Sequence, residues 1–489
     1  MEETTKKARN ILIDVNEKPS IPKWIILALQ HVFAMFGATI LVPILVNSAA
    51  GETVLTIPVA LVSAGIGTLI YILCTKGKSP VFLGSSFAFI APVAAAYTKG
   101  GLGGAMTGIM IVGLIYVIVG IIIRFVGKKW LDKILPPIVI GPMIMIIGLG
   151  LASSAIGQIG ISSTAESIEW KGVIAALITF LVTAIVMVKA KGFFKVIPFL
   201  IGIVAGYIAS ICLGLVDFSG VAEASIVSVP EFKLPFLHYT PNILVALTIA
   251  PVALVTMAEH IGDHTALSTI IGKNLLKDPG LNRTLLGDGL ATFIAGFIGG
   301  PANTTYGENT SVVGMTRVAS VWVIGLAAII AIVLGFFGKF TAIVGSIPNP
   351  VLGGVSLLLY GFIAVNGLKV LIQNQMDFSK NKNIIVASSM LVLGIGGAAL
   401  TFGTGDVSIT FSGMSLAAIV GVILNLVLPE EKEPKITETV LLDDKIVENN
   451  VEKNSIKENK AEFKAETKKD NKSNTKNNTN KKPKKKGRS

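Results

Sequence analysis

Three acids stand where the sequence is otherwise hydrocarbon. Glu259 follows the apolar run Ile243–Ala258, Asp263 comes four residues later, and Glu308 lies near the end of the stretch GGPANTTYGENT (Gly299–Thr310). An acid inside a bilayer-spanning segment costs roughly 2.5–3.5 kcal/mol on insertion scales, so it marks a pathway or a binding site. A spacing of four puts Glu259 and Asp263 on one helical face. Like charges in low dielectric resist being ionised together, so this pair is a candidate to take up and release a proton. Each acid also has a structural alternative, an ion pair with Arg317 or a cap on a helix N-terminus. Asp288, in LGDGLATF, reads as a helix-start or packing residue. His260 is offset about 100° from Glu259 and leaves the site face, whereas His31 is a candidate for the cavity wall.

The elements that would position these acids are broken spans. GSSFAFIAP (Gly84–Pro92) and GGPANTTYGENT each occupy the place of a membrane helix, yet carry Gly, Pro, Ser, Thr and Asn that interrupt one. Irregular backbone at membrane depth is tolerated only where protein buries it or it lines a cavity. Paired breaks in two halves of a chain point to a transporter's binding site. Helices starting just beyond such breaks aim their positive N-terminal ends at the gap. Free backbone N–H groups together with carboxylates suit a planar ligand with carbonyl and N–H edges, such as a nucleobase. Helix N-termini alone would suit a small anion equally well.

Composition sets the class. The chain has 489 residues, 52% hydrophobic and 15% charged, with a mean hydropathy of +0.72, against about a quarter charged in soluble proteins. This is a polytopic all-α membrane protein. Apolar runs between polar breaks give fourteen transmembrane segments: 24–46, 53–75, 81–98, 102–125, 137–157, 171–189, 194–214, 243–264, 284–299, 304–318, 320–338, 350–370, 384–401 and 410–428. With the N-terminus inside, sixteen lysines and arginines fall in cytoplasmic connections and four (Lys99, Lys171, Lys233 and Lys339) in outer ones. That asymmetry places both termini in the cytoplasm, and the expected location is the plasma (inner) membrane.

Residues 1–23 read as a cytoplasmic N-terminal tail. Residues 429–489, with seventeen basic residues and the ending KKPKKKGRS, read as a disordered Lys-rich cytoplasmic tail that can touch anionic membrane lipid. The net charge of +12 sits in loops and this tail and is no nucleic-acid signature. Cys74 and Cys212 lie in apolar segments and suggest neither a disulfide nor a metal site.

Internal echoes suggest two inverted repeats. ILPPIVIGP (Ile134–Pro142) answers SIPNPVLGG (Ser346–Gly354), the two breaks lie about 220 residues apart, and Gln30-His31 answers Glu259-His260. An odd number of spans per repeat, seven here, turns the second half upside down. Pro136, Pro137, Pro348 and Pro350 would set the tilt of the spans they begin.

AEHIGDHTAL, the string from Asp278 to Val323, LQHVFAMFGATILVPILV (Leu29–Val46), VFLGSSFAFIAP and GGVSLLLYG (Gly353–Gly361) resemble the nucleobase–ascorbate transporter family, also known as the second nucleobase–cation symporter family. The resemblance spans about residues 20–428 and is strongest to the uracil branch. It implies a transporter over 24–428, with a core of spans 1–4 and 8–11 (about 24–125 and 243–338). A gate of spans 5–7 and 12–14 (about 137–214 and 350–428) would complete it. Spans 3 and 10 would each hold a short strand, and the protein would form a homodimer through its gate. The resemblance further implies that Glu259 and Glu308 grip the base. Backbone amides at Phe87 and Gly307 would meet its carbonyls, with Ala38, Tyr306, Asn309 and Tyr360 as neighbours. Uracil-branch members often carry His where this chain has Asp263, which matches the purine branch. YGEN, rather than the purine branch's QN-x-G, favours a pyrimidine.

The resulting expectation is a secondary active transporter that takes up uracil with a proton, Glu259, Asp263 and Glu308 serving the coupling. Xanthine or uric acid is the alternative substrate. No nucleotide-binding motif or cofactor is indicated. An anion carrier of the same architecture would need cations at the breaks, and an intramembrane enzyme a catalytic constellation that the sequence does not show.

Overall fold

Proline sets the start of several helices in the computed structural model, which describes residues 11–430 except 164, 166, 196, 405 and 406. The expected basic tail from residue 431 onward and the first ten residues lie outside the described part. α1 (Ile21–Ala50) and α2 (Ile57–Cys74) carry Pro in their first two positions, where the missing N–H is an orphan anyway. α1 ends on Gly51 at φ +76°, whose N–H returns to the Asn47 carbonyl at 2.9 Å. The Asn47 side chain accepts from the Val54 and Leu55 amides at 2.9 Å each and donates to the Leu55 carbonyl at 2.8 Å, closing the turn.

The chain then leaves helix altogether. β1 (Leu83–Ser85) is followed by a tight turn at Phe87–Phe89 and by α3 (Ile90–Val126), which kinks at Gly100 and Gly101. After α4 (Lys129–Ile134) come α5 (Pro137–Gly150), α6 (Ala152–Ile159), α7 (Trp170–Lys189), α8 (Pro198–Cys212) and the short α9 (Ser219–Glu223). The second half runs α10 (Ile243–Ala246), α11 (Val252–Ile271), α12 (Leu281–Phe297), β2 (Asn303–Thr305), α13 (Gly307–Thr316), α14 (Val321–Gly335), α15 (Gly338–Gly345), α16 (Asn349–Gln373) and α17 (Asn381–Ile395). A hairpin of β3 (Ala399–Thr404) and β4 (Val407–Ser412) leads into α18 (Gly413–Val427).

The helices pack in two sets. α12 lies against α2 and α3, and α14 against α1 and α2. In the other set α16 packs on α5, α6 and α7, α7 on α8, and α17 on α5 and α18. The sets meet where α11 touches α5 and α18 and where α1 touches α8. Among the described residues six helical segments are long and apolar enough to cross a bilayer: 21–50, 57–74, 87–126, 137–159, 170–189 and 349–373. Along α7, Ile174, Leu177, Leu181, Ile185 and Val188 are all exposed. Their spacing of three and four makes one apolar stripe suited to lipid. The chain is a multi-pass helical membrane protein.

Three sequence expectations need correction. The apolar stretch 384–401 is not one helix, because α17 stops at Ile395 and the β-branched and aromatic alternation of 399–412 pairs as a hairpin, from Ala399↔Ser412 to Thr404↔Val407. The stretch 243–264 is also divided: the chain turns between Ala246 and Pro251, and α11 then continues to Ile271. Of the two readings of Asp288, packing holds and the helix start does not, since it stands buried in the middle of α12.

β1 and β2 pair antiparallel, Leu83 with Thr305, Gly84 with Thr304 and Ser85 with Asn303. The ladder is extended by Ser86 N–H to the Ala302 carbonyl (2.9 Å) and Tyr306 N–H to the Phe82 carbonyl (3.1 Å). Thr68 of α2 serves the outer edge, accepting from the Leu83 amide at 2.9 Å and donating to its carbonyl at 3.2 Å. Gly84 is required by space, since a Cβ there would run into the Tyr306 ring. Gly84→Ala should therefore destabilise the fold by about 1–3 kcal/mol through overpacking. Thermal unfolding of the detergent-solubilised protein checks this, with a lowered midpoint expected.

Candidate substrate site

The strand pair places its acids by placing their helices. β1 and β2 run in opposite directions, so the helical segments that follow them depart from opposite ends of the pair. Glu308 lies in the first turn of α13, one residue after Gly307, with Tyr306 as the N-cap. A carboxylate there sits at the positive end of the helix dipole. Glu259 and Asp263 occupy successive turns of α11, which packs against β2 and α13. Thr305 Oγ1 donates to Asp263 Oδ2 at 2.5 Å, and Thr304 Oγ1 reaches Glu259 Oε2 at 3.4 Å. None of the three acids forms an ion pair among the described residues. Arg317, the alternative partner for Glu308, stands at the far end of α13.

These groups line one cavity of about 500 Å³. Glu259, Asp263, Glu308, Thr304, Thr305 and Gly307 form its polar wall, and Phe87 and Ala88 one edge. Leu359, Phe362 and Ile363 of α16 together with Phe199 supply its apolar lining. Lys195 and Lys369 stand at the same cavity's margin. As first residues of their helical turns, Phe87 and Gly307 carry N–H groups with no acceptor inside the helix. The arrangement offers backbone donors and carboxylate acceptors around an apolar slot. A second cavity of about 240 Å³ shares Phe87, Ala88 and Ile147 with the first and extends to Lys99 and Thr410.

Not every residue singled out in the sequence reaches the large cavity. Tyr306 lines it, while its hydroxyl donates to the Ser85 carbonyl at 3.0 Å and accepts from Thr39 at 3.1 Å. Ala38 lines a small adjoining crevice that also touches Glu308. Asn309 turns away and donates from Nδ2 to the ring Nδ1 and the carbonyl of His31, both at 3.1 Å. His31 is thereby buried in packing and forms no part of the cavity wall. Tyr360 is buried behind Leu359, which faces the cavity in its place.

Sequence reading missed Thr304 and Thr305, whose signal was two hydroxyls in the second break. It also missed the back of α11. His260 Nδ1 and Asp288 Oδ2 are 2.7 Å apart with both side chains fully buried. The His260 ring stacks on that of His264, centroids 4.1 Å apart. His264 Nδ1 lies 2.7 Å from the His260 carbonyl, which can only accept, so this nitrogen carries the hydrogen. His264 Nε2 then accepts from the Tyr71 hydroxyl at 2.5 Å, and Tyr71 accepts from Ser79 at 2.9 Å. This network anchors one face of α11 while the other presents Glu259 and Asp263.

A multi-pass bundle holding an acid-lined cavity between two sets of helices is a membrane transporter. The chain belongs to the permease family Xan_ur_permease, which it matches over residues 22–402. It is 47% identical over 420 residues to the uracil permease of Bacillus caldolyticus, covering 86% of this chain and 95% of that one. It is also 47% identical over 430 residues to the uracil permease of Bacillus subtilis (strain 168), covering 87% and 97%. Among solved structures, the transmembrane domain of a cyanobacterium bicarbonate transporter BicA is similar at a TM-score of 0.59 and 16% identity, covering 84% of this chain and 100% of that one. That likeness is one of fold.

The network behind the site gives a stability prediction. Removing one partner of a buried polar pair leaves the other unsatisfied, at a cost of about 1–3 kcal/mol. His260→Ala and Asp288→Ala should each lower the unfolding midpoint strongly, and the double variant should lose less than the two losses combined. Thermal melts of all four proteins give the coupling.

Proposed function

We propose that this chain takes up uracil across the plasma membrane together with a proton. The observation that carries this reading is the shared cavity of Glu259 and Glu308, which Phe87 and Gly307, the first residues of their helical turns, also line. Uracil presents two ring N–H donors and two carbonyl acceptors, a set matched by two carboxylates and two backbone amides. Asp263 and Glu259, one turn apart, supply the proton site, and Thr305 holds Asp263 in place. The apolar wall at Phe199 and Phe362 excludes water from the faces of the ring. The uracil permeases to which the chain is similar support the same substrate.

Transport in this reading is alternating access. Spans 1–4 and 8–11 form the core that carries the site, and spans 5–7 and 12–14 the gate, in two inverted repeats of seven spans. Support comes from the antiparallel strand pair, from the separate packing of α16 with α5 and α7, and from the two cavities that meet at Phe87, Ala88 and Ile147. Both termini face the cytoplasm, and two copies associate through the gate.

A purine such as xanthine or uric acid is the second reading, favoured by Asp263 and by a cavity of about 500 Å³. Uptake of labelled uracil by cells lacking their own permease tests the proposal, with unlabelled uracil, thymine, xanthine and uric acid as competitors. Uracil should compete best, and a protonophore should abolish accumulation. Glu308→Gln should raise KM about tenfold or more, as for loss of a charged hydrogen-bond partner, whereas Glu259→Gln should end accumulation against a gradient. Better displacement by xanthine would withdraw the pyrimidine assignment.

A further inference from the structure

Ahead of the first span, residues Ile11–Lys18 run across the C-terminal ends of the two helices that bear the acids. Leu12 N–H donates to the Arg317 carbonyl at 2.8 Å, Ala319 N–H to the Ile13 carbonyl at 2.9 Å and Val321 N–H to the Val15 carbonyl at 2.9 Å. Ile13 and Val318 form a parallel bridge. The segment therefore adds a short strand to the link between α13 and α14. Ser320 Oγ donates to the Glu17 carbonyl at 2.6 Å, which fixes the start of α14 to the same segment.

The other attachment is to α11. Just past that helix's Gly272 cap, Lys273 Nζ reaches both carboxylate oxygens of Asp14 at 2.7 Å. That bond, with a second from the Val15 amide, holds the Asp14 carboxyl below the usual carboxylate range. Between these anchors Val15 is buried in a cluster with Leu267 and Ile271 of α11, Val313 of α13, Ala319 and Val321. One apolar side chain thus wedges the two helices, while the flanking residues tie their ends. Arg317, the cap of α13, is held at φ +59°, a left-handed conformation unfavourable for a non-glycine residue. Its carbonyl is the one that Leu12 bonds.

We propose that Ile11–Lys18 is a positioning strap that fixes α11 against α13, and so sets the separation of Glu259 and Asp263 from Glu308. Asp14, Val15 and Lys273 act through the helices and do not touch substrate. The inference rests on the uracil reading above.

Two independent variants test it. Asp14→Lys sets like charges side by side at Lys273, and adding Lys273→Asp restores an opposite pair. Val321→Pro removes one strap hydrogen bond at the first position of α14, where proline suits the helix and Ser320 is already extended at φ −71°, ψ 123°. Uracil uptake is measured at equal transporter levels in the membrane. Both Asp14→Lys and Val321→Pro should raise KM about three- to tenfold, a change typical of coupled positions. Vmax per transporter should stay near wild type, and the charge swap should bring KM back. Where a variant reaches the membrane poorly, the Kd of the purified protein is read against the same thresholds. If KM or Kd for Asp14→Lys and Val321→Pro stays within twofold of wild type, the strap does not position the site. Absence of uracil transport by the wild-type protein would instead overturn the substrate reading.

Discussion

The pairing of three residues with three, Leu83–Ser85 with Asn303–Thr305, is the constraint on which the rest of this protein turns. Inside a bilayer no water is available for stray N–H and C=O groups, and each unmade bond costs several kcal/mol. A chain that abandons helix at that depth must find partners, and here each break finds the other. The pairing has a second consequence. The helical turns beyond the strands begin beside the pair, so amides and dipole ends that most membrane helices leave at the surface are brought to one interior cavity. Gly84 and Tyr306 hold the arrangement, one by leaving room and the other by filling it while bonding Ser85 and Thr39.

A transporter's acids must be held firmly without being neutralised by permanent partners. α11 meets that demand by dividing its two faces. On one, His260, His264, Asp288, Tyr71 and Ser79 are buried and joined by hydrogen bonds or ring stacking. On the other, Glu259 and Asp263 take hydrogen bonds from threonine hydroxyls of β2 and line the open cavity. The neutral hydroxyls orient the two carboxyl groups without pairing them with a cation, as the proposed exchange of a ligand requires.

Much of this was legible in the sequence, for a physical reason. Acids and helix breakers are so costly in hydrocarbon that Glu259, Asp263, Glu308 and the two breaks stand out against any apolar background. The family was legible too, through AEHIGDHTAL and YGEN. Side-chain direction was less so. His31 and Asn309 are hydrogen-bonded to one another in packing, and Tyr360 yields its place at the cavity to its neighbour Leu359, because which side of a helix faces the slot depends on tilts that hydropathy does not encode. The β3–β4 hairpin was hidden for a related reason: a short apolar run is compatible with helix or strand, and only its β-branched alternation hinted at the latter. The partnership of Asp288 with His260 joins residues on two helices, and no spacing rule reports such a pair.

The central claim is that the base is held between the carboxylates of Glu259 and Glu308 beside the strand pair. A structure determined with uracil bound tests it most directly. The account predicts a ring whose N–H groups meet those two carboxylates and whose carbonyls lie within hydrogen-bond distance of the Phe87 and Gly307 amides. A ring that touches neither carboxylate, or that lodges in the smaller cavity beside Lys99 and Thr410, would contradict it.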